Sequence, residues 1–124
     1  MGDRANFGFK TGENTVFLYG HWAGHEMLAN MARALKRIKT AGRADDPSYA
    51  TRIGISEIIG ESWNDDYSWG ITVNTIDDNE HKIPVFDIDH QTVSLNDVQW
   101  NDGKVTLIPI VHFPVDTFIE KYLK

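Results

Sequence analysis

The sequence predicts an α+β fold: a mostly antiparallel sheet of five to six strands, with two helices inserted after the first hairpin and a short C-terminal helix. Polar and apolar residues alternate near both ends of the chain, whereas residues 25–60 have helical spacing. The elements are therefore grouped by type and do not alternate along the chain, which is typical of α+β proteins. A length of 124 residues suits one domain spanning residues 1–124.

The N-terminal residues predict a β-hairpin. Polar and apolar side chains alternate through residues 4–10, which is the pattern of a half-buried strand. A polar turn at 11–14 leads into a second strand at 15–22. That second strand is apolar on both faces, so we place it centrally in the sheet.

Two helices follow. The first spans about residues 25–40, where a single apolar stripe is formed by Met27, Leu28, Met31, Leu35 and Ile38. The second begins with Asp46 as its N-cap and Pro47 at its first position, and it ends near Gly60. Arg52 is predicted to lie inside the apolar sector of this helix, where it either pairs with a buried carboxylate or faces a cavity.

The C-terminal half returns to the strand period. Strands are predicted from residue 67, at 83–89, at 92–100 and at 105–113. Pro109 indicates that the last strand lies at an edge of the sheet or contains a bulge. Pro114 then opens the short terminal helix.

The composition excludes several classes of protein. Twelve Lys and Arg against 18 Asp and Glu give a net charge of −6, which disfavours binding to duplex nucleic acid. No stretch approaches the roughly 20 apolar residues that span a bilayer, and the start lacks a signal peptide, so we expect no membrane partner and a cytoplasmic location. The absence of cysteine excludes disulfides and thiolate chemistry.

The segment after the second strand is the first candidate site. Gly20 and Gly24 bracket His21 and Trp22, and allow the backbone to bend sharply at a strand-to-helix corner. A metal site formed by His21, His25 and Glu26 is one interpretation, but the two histidines straddle a strand end and a helix start, so we expect no metal. The structural alternative is that Trp22 packs under the first helix and His21 bonds the backbone.

The start of the second helix is the second candidate site. Exposed N–H groups at a helix start favour an anion, and Arg side chains grip phosphate in a bidentate fork. The cluster consists of Arg43, Asp45, Asp46, Tyr49 and Arg52. The alternative is a structural pair between an Arg and an Asp, with Asp46 acting only as the helix cap.

Two further groups carry weaker signals. Four aromatic residues are candidates for stacking on a base, namely Trp63, Tyr67, Trp69 and Trp100, although aromatic residues at strand spacing are more often part of a core. Asp87 and Asp89 are predicted to share one strand face beside His90, which would suit acid–base work or a divalent cation. The alternative is a solvated face. With no nucleophile elbow and no Gly-rich phosphate loop, we assign no catalytic residue and expect no cofactor.

Four segments give the chain a resemblance to a known group of proteins: the start at residues 1–6, the corner at 18–24, the helix start at 45–53 and the strand end at 87–93. They resemble small uncharacterised proteins of phages and actinobacteria that begin Gly-Asp-Arg-Ala-Asn and carry a Leu-Tyr-x-His-Trp-x-Gly corner. The resemblance covers roughly residues 1–95 and departs at Ala23, where a second glycine is often found. It implies the setting of a phage accessory protein, possible action against host defence, and no particular mechanism.

The leading functional hypothesis is a homo-oligomeric protein that binds and sequesters a small anionic nucleotide-like ligand without catalysis. Its phosphates would lie on Arg4, Arg43 and Arg52, and its base would stack on Tyr49, Trp22 or Trp69. The complete predicted set of ligand-binding residues is Arg4, Asn6, Tyr19, His21, Trp22, Arg43, Asp46, Tyr49, Arg52 and Trp69. One alternative is an acidic inhibitor that binds a host defence factor. Another is a small phosphoester hydrolase that uses His21 and His25.

Overall fold

A computed structural model describes residues 2–124 and confirms the α+β class. The elements, in chain order, are β1 (Ala5–Thr11), β2 (Asn14–Gly20), α1 (Met27–Thr40), α2 (Pro47–Ile59), a 3₁₀ turn (Gly60–Asn64), β3 (Trp69–Val73), β4 (Ile83–Asp87), β5 (Thr92–Asn101), β6 (Lys104–Pro114) and α3 (Val115–Tyr122).

The six strands form one sheet in the order β3-β2-β1-β4-β5-β6. Every neighbouring pair is antiparallel except β1 and β4, which run parallel with Gly8 opposite Val85. β2 is hydrogen-bonded on both sides and β6 lies at an edge, so both predicted positions are confirmed. The parallel pair joins an N-terminal half of three strands to a C-terminal half of three strands.

The main core lies between one face of the sheet and the helices. Phe7 and Phe9 of β1 point to this face and are buried, as are Met31 and Leu35 from the apolar stripe of α1. Gly54 of α2 allows a close approach to the sheet, because a Cβ there would lie 2.5 Å from the Phe9 ring. The helices are therefore fixed to β1 by contact at short range.

A second, smaller core covers part of the opposite face. Phe17 and Val85 belong to this cluster. The outer part of β5 extends beyond its pairing with β4 and pairs only with β6, which makes a two-stranded ribbon. Val98, Val105 and Leu107 of this ribbon pack against the second cluster. The ribbon therefore bends over the face that the helices leave open.

β6 contains the bulge that Pro109 predicts. Leu95 lies opposite Val111 while Asn96 lies opposite Pro109, so Ile110 is the extra residue on the edge strand.

Two details of the predicted elements are wrong. α1 begins at Met27 and not at residue 25, since Glu26 has a left-handed backbone with φ of 62°. Asp89 lies beyond β4 and does not share a strand face with Asp87. Its carboxylate accepts hydrogen bonds from the N–H of Gly12 (2.6 Å) and the hydroxyl of Thr11 (3.1 Å), so it ties the β4–β5 turn to the β1–β2 turn.

Within residues 2–124, none of the helices has the length and apolar character that crossing a membrane requires.

Candidate ligand-binding corner

Three segments that are distant in sequence meet at one corner of the sheet. Asp3 donates its N–H to the carbonyl of His21 (2.8 Å), and Gly24 donates its N–H to the carbonyl of Asp3 (2.8 Å). Glu80 donates its N–H to the carbonyl of Arg4 (3.0 Å). The N-terminal segment is thus held between the loop after β2 and the loop before β4. We call this region the corner.

Arg4 is neutralised by carboxylates within the corner. One guanidinium nitrogen lies 2.7 Å from Asp78, and Nε lies 3.0 Å from Glu80. The hydrogen bond to Glu80 is the main cause that raises the pKa of Arg4. In return, the pKa of Glu80 is lowered, chiefly by the backbone N–H of Arg4. A phosphate at Arg4 would have to compete with two carboxylates already in contact.

Asn6 positions a loop and is not accessible to a ligand. It is only 1% exposed. Its amide nitrogen donates to the carbonyl of Asp78 (2.7 Å) and to the side-chain oxygen of Asn79 (3.1 Å). Asn6 therefore holds the loop that carries the acidic partners of Arg4.

Tyr19, His21 and Trp22 form a chain of contacting rings. The Tyr19 hydroxyl and His21 Nδ1 are 3.0 Å apart, and burial is the main cause that raises the pKa of Tyr19. The His21 and Trp22 rings meet edge to face at 4.8 Å. Trp22 is 63% exposed, so the expectation that it packs under α1 is wrong. The adjacent Ala23 is buried instead.

These rings form one side of a cleft of about 380 Å³. Tyr67 and Ser68 line the cleft together with Trp69 and Gly70, and Tyr67 is 80% exposed. Ser68 has a φ of 77°, which is uncommon for a residue with a side chain, and its carbonyl accepts the N–H of His21 (2.8 Å). Trp69 itself packs against the main core. The cleft thus has two exposed rings and several polar groups around a supported wall.

His81 lies on the other side of the corner, next to Asp3. His81 Nε2 lies 2.5 Å from Asp3 Oδ1. A Cβ on Gly24 would overlap both the Asp3 carboxylate and the His81 ring, so only glycine fits between them. No local periodicity in the sequence links the other corner residues to one another, so the sequence does not predict them: Asp3, Asp78, Glu80 and His81.

The structure does not bring the second predicted cluster to the corner. α1 has 14 residues and is about 21 Å long, and it separates the corner from the start of α2. The Gln91 amide donates to the carbonyl of Ala44 (2.7 Å), which places the start of α2 beside the β4–β5 turn. Arg4 precedes β1 at the opposite end of that strand. Arg43, Asp46, Tyr49 and Arg52 therefore cannot share one small ligand with Arg4.

The second cluster matches its structural alternative. Asp46 caps α2 by accepting the N–H of Tyr49 (3.4 Å), and it pairs with Arg43 at 3.2 Å. The Arg43 guanidinium lies 4.2 Å from the centre of the Tyr49 ring. The predicted burial of Arg52 is wrong: its side chain is exposed and donates to Ser56 Oγ (3.3 Å).

Among residues 2–124, no group of three or more His, Asp and Glu side chains is placed to hold a metal ion. Comparisons with protein-family models, with curated proteins and with solved structures find no match to this chain.

Proposed function

We propose that the protein binds a small nucleotide-like ligand through its planar base at the corner, without converting it, and so sequesters it. The observation that carries this proposal is the 380 Å³ cleft with the exposed rings of Trp22 and Tyr67. Exposed aromatic rings stack on bases, and a few polar groups then fix the orientation. The Tyr19 hydroxyl and Ser68 supply such groups. The setting of a phage protein that acts against host defence rests on the sequence resemblance alone.

The charges around the cleft narrow the class of ligand. Arg4 already forms ion pairs with Asp78 and Glu80. Asp65 and Asp66 directly precede Tyr67 in the chain. These carboxylates repel a ligand that carries several phosphates. We therefore propose a nucleoside or a nucleotide with a single phosphate group, and assign Arg43 and Arg52 no part in binding it.

Tryptophan fluorescence titrated with adenosine, AMP and ATP tests this proposal. We expect adenosine and AMP to quench the emission and ATP to bind more weakly, and the nucleoside to be recovered unchanged. Trp22→Ala is expected to weaken binding about tenfold, the cost of one lost stacking contact. Trp100→Ala removes another exposed tryptophan, on the ribbon, and serves as the matched control. If no nucleoside or nucleotide quenches the emission, the proposal fails.

A second candidate function is an acidic surface that inhibits a host protein. The observation that favours it is an apolar surface on the edge strand β3, next to the cleft that Tyr67 lines. The side chains of Ile71 and Val73 on this strand are more than half exposed. An apolar centre with a charged rim is typical of protein interfaces. The double change Asp65→Lys with Asp66→Lys should then abolish inhibition of the host factor while adenosine binding persists. Inhibition that survives this charge reversal argues against the surface.

We further propose that the protein self-associates through β6. This strand is an 11-residue sheet edge with exposed Ile108, Ile110 and Val111. A long apolar edge offers unpaired backbone groups to a second copy of the same strand.

A further inference from the structure

A second pocket lies on the face of the sheet that the helices leave open. It has a volume of about 310 Å³ and is lined by residues of β1, β2, β4, β5 and β6. Leu107 and Pro109 of β6 form one wall, where the ribbon bends over the sheet. We call it the ribbon pocket. None of its residues belongs to the corner.

The strand register places the polar groups of the ribbon pocket side by side. Lys10 of β1 lies opposite Thr15 of β2 and opposite Asp87 of β4. Ser94 of β5 lies opposite Val85, and Asn96 of the same strand lies two residues further along. Side chains two residues apart on a strand share a face, so these groups point into the same space.

Two of these polar side chains are almost completely buried. Thr15 is 8% exposed and Asn96 is 2% exposed, and both line the pocket. The Asn96 amide nitrogen donates to the carbonyl of Ile83 (3.0 Å) and to Ser94 Oγ (2.9 Å). Within residues 2–124, the protein provides no hydrogen-bond partner for the Asn96 side-chain oxygen or for the Thr15 hydroxyl. In the same residues, every side-chain polar atom that is fully enclosed has a hydrogen-bond partner, so these two atoms are not fully enclosed. These two oxygens are therefore open to the pocket.

The polar groups that line the ribbon pocket indicate which class of ligand it suits. Polar oxygens that open into a pocket are hydrated when it is empty, and the hydroxyl groups of a ligand can replace that water and fix the orientation of the ligand. The hydroxyls of Thr15 and Ser94 and the oxygen of Asn96 are uncharged. Lys10 Nζ lies 3.7 Å from Asp87, so the two charged groups offset each other. His112 also lines the pocket, and its imidazole can form a hydrogen bond with a hydroxyl group. The pocket therefore suits a neutral ligand with several hydroxyl groups.

We propose that the ribbon pocket binds a neutral sugar of monosaccharide size. Its volume is at the lower end of the range of small-molecule pockets, which fits a single ring. Val85, Leu107 and Pro109 give the C–H face of such a ring an apolar wall, while Thr15, Ser94 and Asn96 bind its hydroxyls. This site goes beyond the proposed function of the corner and either site can fail alone.

Saturation-transfer NMR with D-glucose, D-mannose and D-ribose as separate probes tests the proposal. We expect transfer from the protein to the ring protons of at least one sugar, and no displacement by inorganic phosphate. Thr15→Val removes the hydroxyl while keeping the shape of the side chain, and is expected to weaken binding about tenfold. Thr106→Val makes the same change at an exposed position of β6 outside the pocket and should leave binding intact.

Three results would overturn the proposal: no transfer to any of the sugars, displacement of the sugar by phosphate, or equal binding by Thr15→Val and Thr106→Val. Amide spectra establish that each variant is folded. If Thr15→Val does not fold, Ser94→Ala takes its place, with the same expected loss and the same contrary result.

Discussion

Glu80 is the residue that most directly ties the start of the chain to the loop before β4. Its carboxylate accepts both the backbone N–H and the Nε of Arg4, and its pKa is lowered in the folded protein. A group whose pKa is lower when folded stabilises the protein above its unfolded pKa, and this contribution is lost as the pH falls through the folded pKa. The corner should therefore loosen in acid.

We expect the free energy of unfolding to decrease as the pH falls below about 4, where glutamate and aspartate begin to protonate. Asp89 contributes in the same direction, since the N–H of Gly12 lowers its pKa. Glu80→Gln should make this decrease shallower. Urea unfolding between about pH 3 and pH 7 measures it, with Glu13→Gln in the exposed β1–β2 turn as the control. An unchanged pH profile in Glu80→Gln would show that the contact with Arg4 adds no stability.

Gly24 fits between Asp3 and His81 in the corner because it has no Cβ. A Cβ there overlaps Asp3 and His81, whereas a Cβ at Gly70 meets no atom within 4 Å. We expect Gly24→Ala to lower the free energy of unfolding by about 1–3 kcal/mol, the usual cost of overpacking. Gly70→Ala is the matched control and should change it little. Equal stability of the two variants in urea unfolding would contradict the tight packing of Asp3 on His81.

At the scale of elements, the contact between α2 and β1 sets how closely the helices approach the sheet. Gly54→Ala gains helix propensity of about 1 kcal/mol but forces a methyl group against the Phe9 ring. Overpacking costs about 1–3 kcal/mol, so we expect a net loss of stability. Ser56→Ala in the same helix is the control and should stay within about 0.5 kcal/mol. A more stable Gly54→Ala in thermal unfolding would mean that α2 shifts freely away from β1.

The elements that the sequence predicts well are those with a local signal. The stripe Met31, Leu35 and Ile38 predicts α1, Asp46 and Pro47 predict the start of α2, and Pro109 predicts the bulged edge strand. The parallel pairing of β1 with β4 leaves no such signal, because it depends on residues far apart in the chain. The sequence pattern also predicts the burial of Arg52 wrongly, because α2 buries a broad set of small and branched residues and not a narrow stripe.

The corner could be predicted only in part for the same reason. Tyr19, His21 and Trp22 are neighbours in sequence, and the flanking glycines mark a bend. The other part of the corner, the partners of Arg4, is Asp78 and Glu80, which lie in an acidic turn whose composition alone indicates only exposure. Which acidic residues meet Arg4 is decided by the strand order, and the sequence pattern does not contain that order.

At the scale of the whole molecule, the two edges of the sheet differ in length and character. β6 is 11 residues long and β3 is 5 residues long, and both expose isoleucine. The longer edge offers more unpaired backbone groups, so we expect β6 to form the contact between copies.

Ile108→Lys should weaken self-association about tenfold by placing a charge on this edge. Ile71→Lys makes the same change on β3 and serves as the control. Sedimentation velocity over a range of protein concentrations measures both variants. A purely monomeric wild-type protein would contradict the proposed self-association, and a loss caused by Ile71→Lys alone would assign it to the other edge.

During synthesis, β1 is made long before β4, its parallel partner at the centre of the sheet. The hairpin β1–β2 leaves the ribosome early, but the free side of β1 has no partner until β4 has been made. Pairing across so long a stretch of chain slows folding, since the ends of a long loop must first meet. We expect a ribosome-bound chain that ends before Ile83 to be cleaved readily by protease, and the full-length chain to resist. Until β4 emerges, the nascent chain therefore exposes one apolar strand edge that other chains or chaperones can bind.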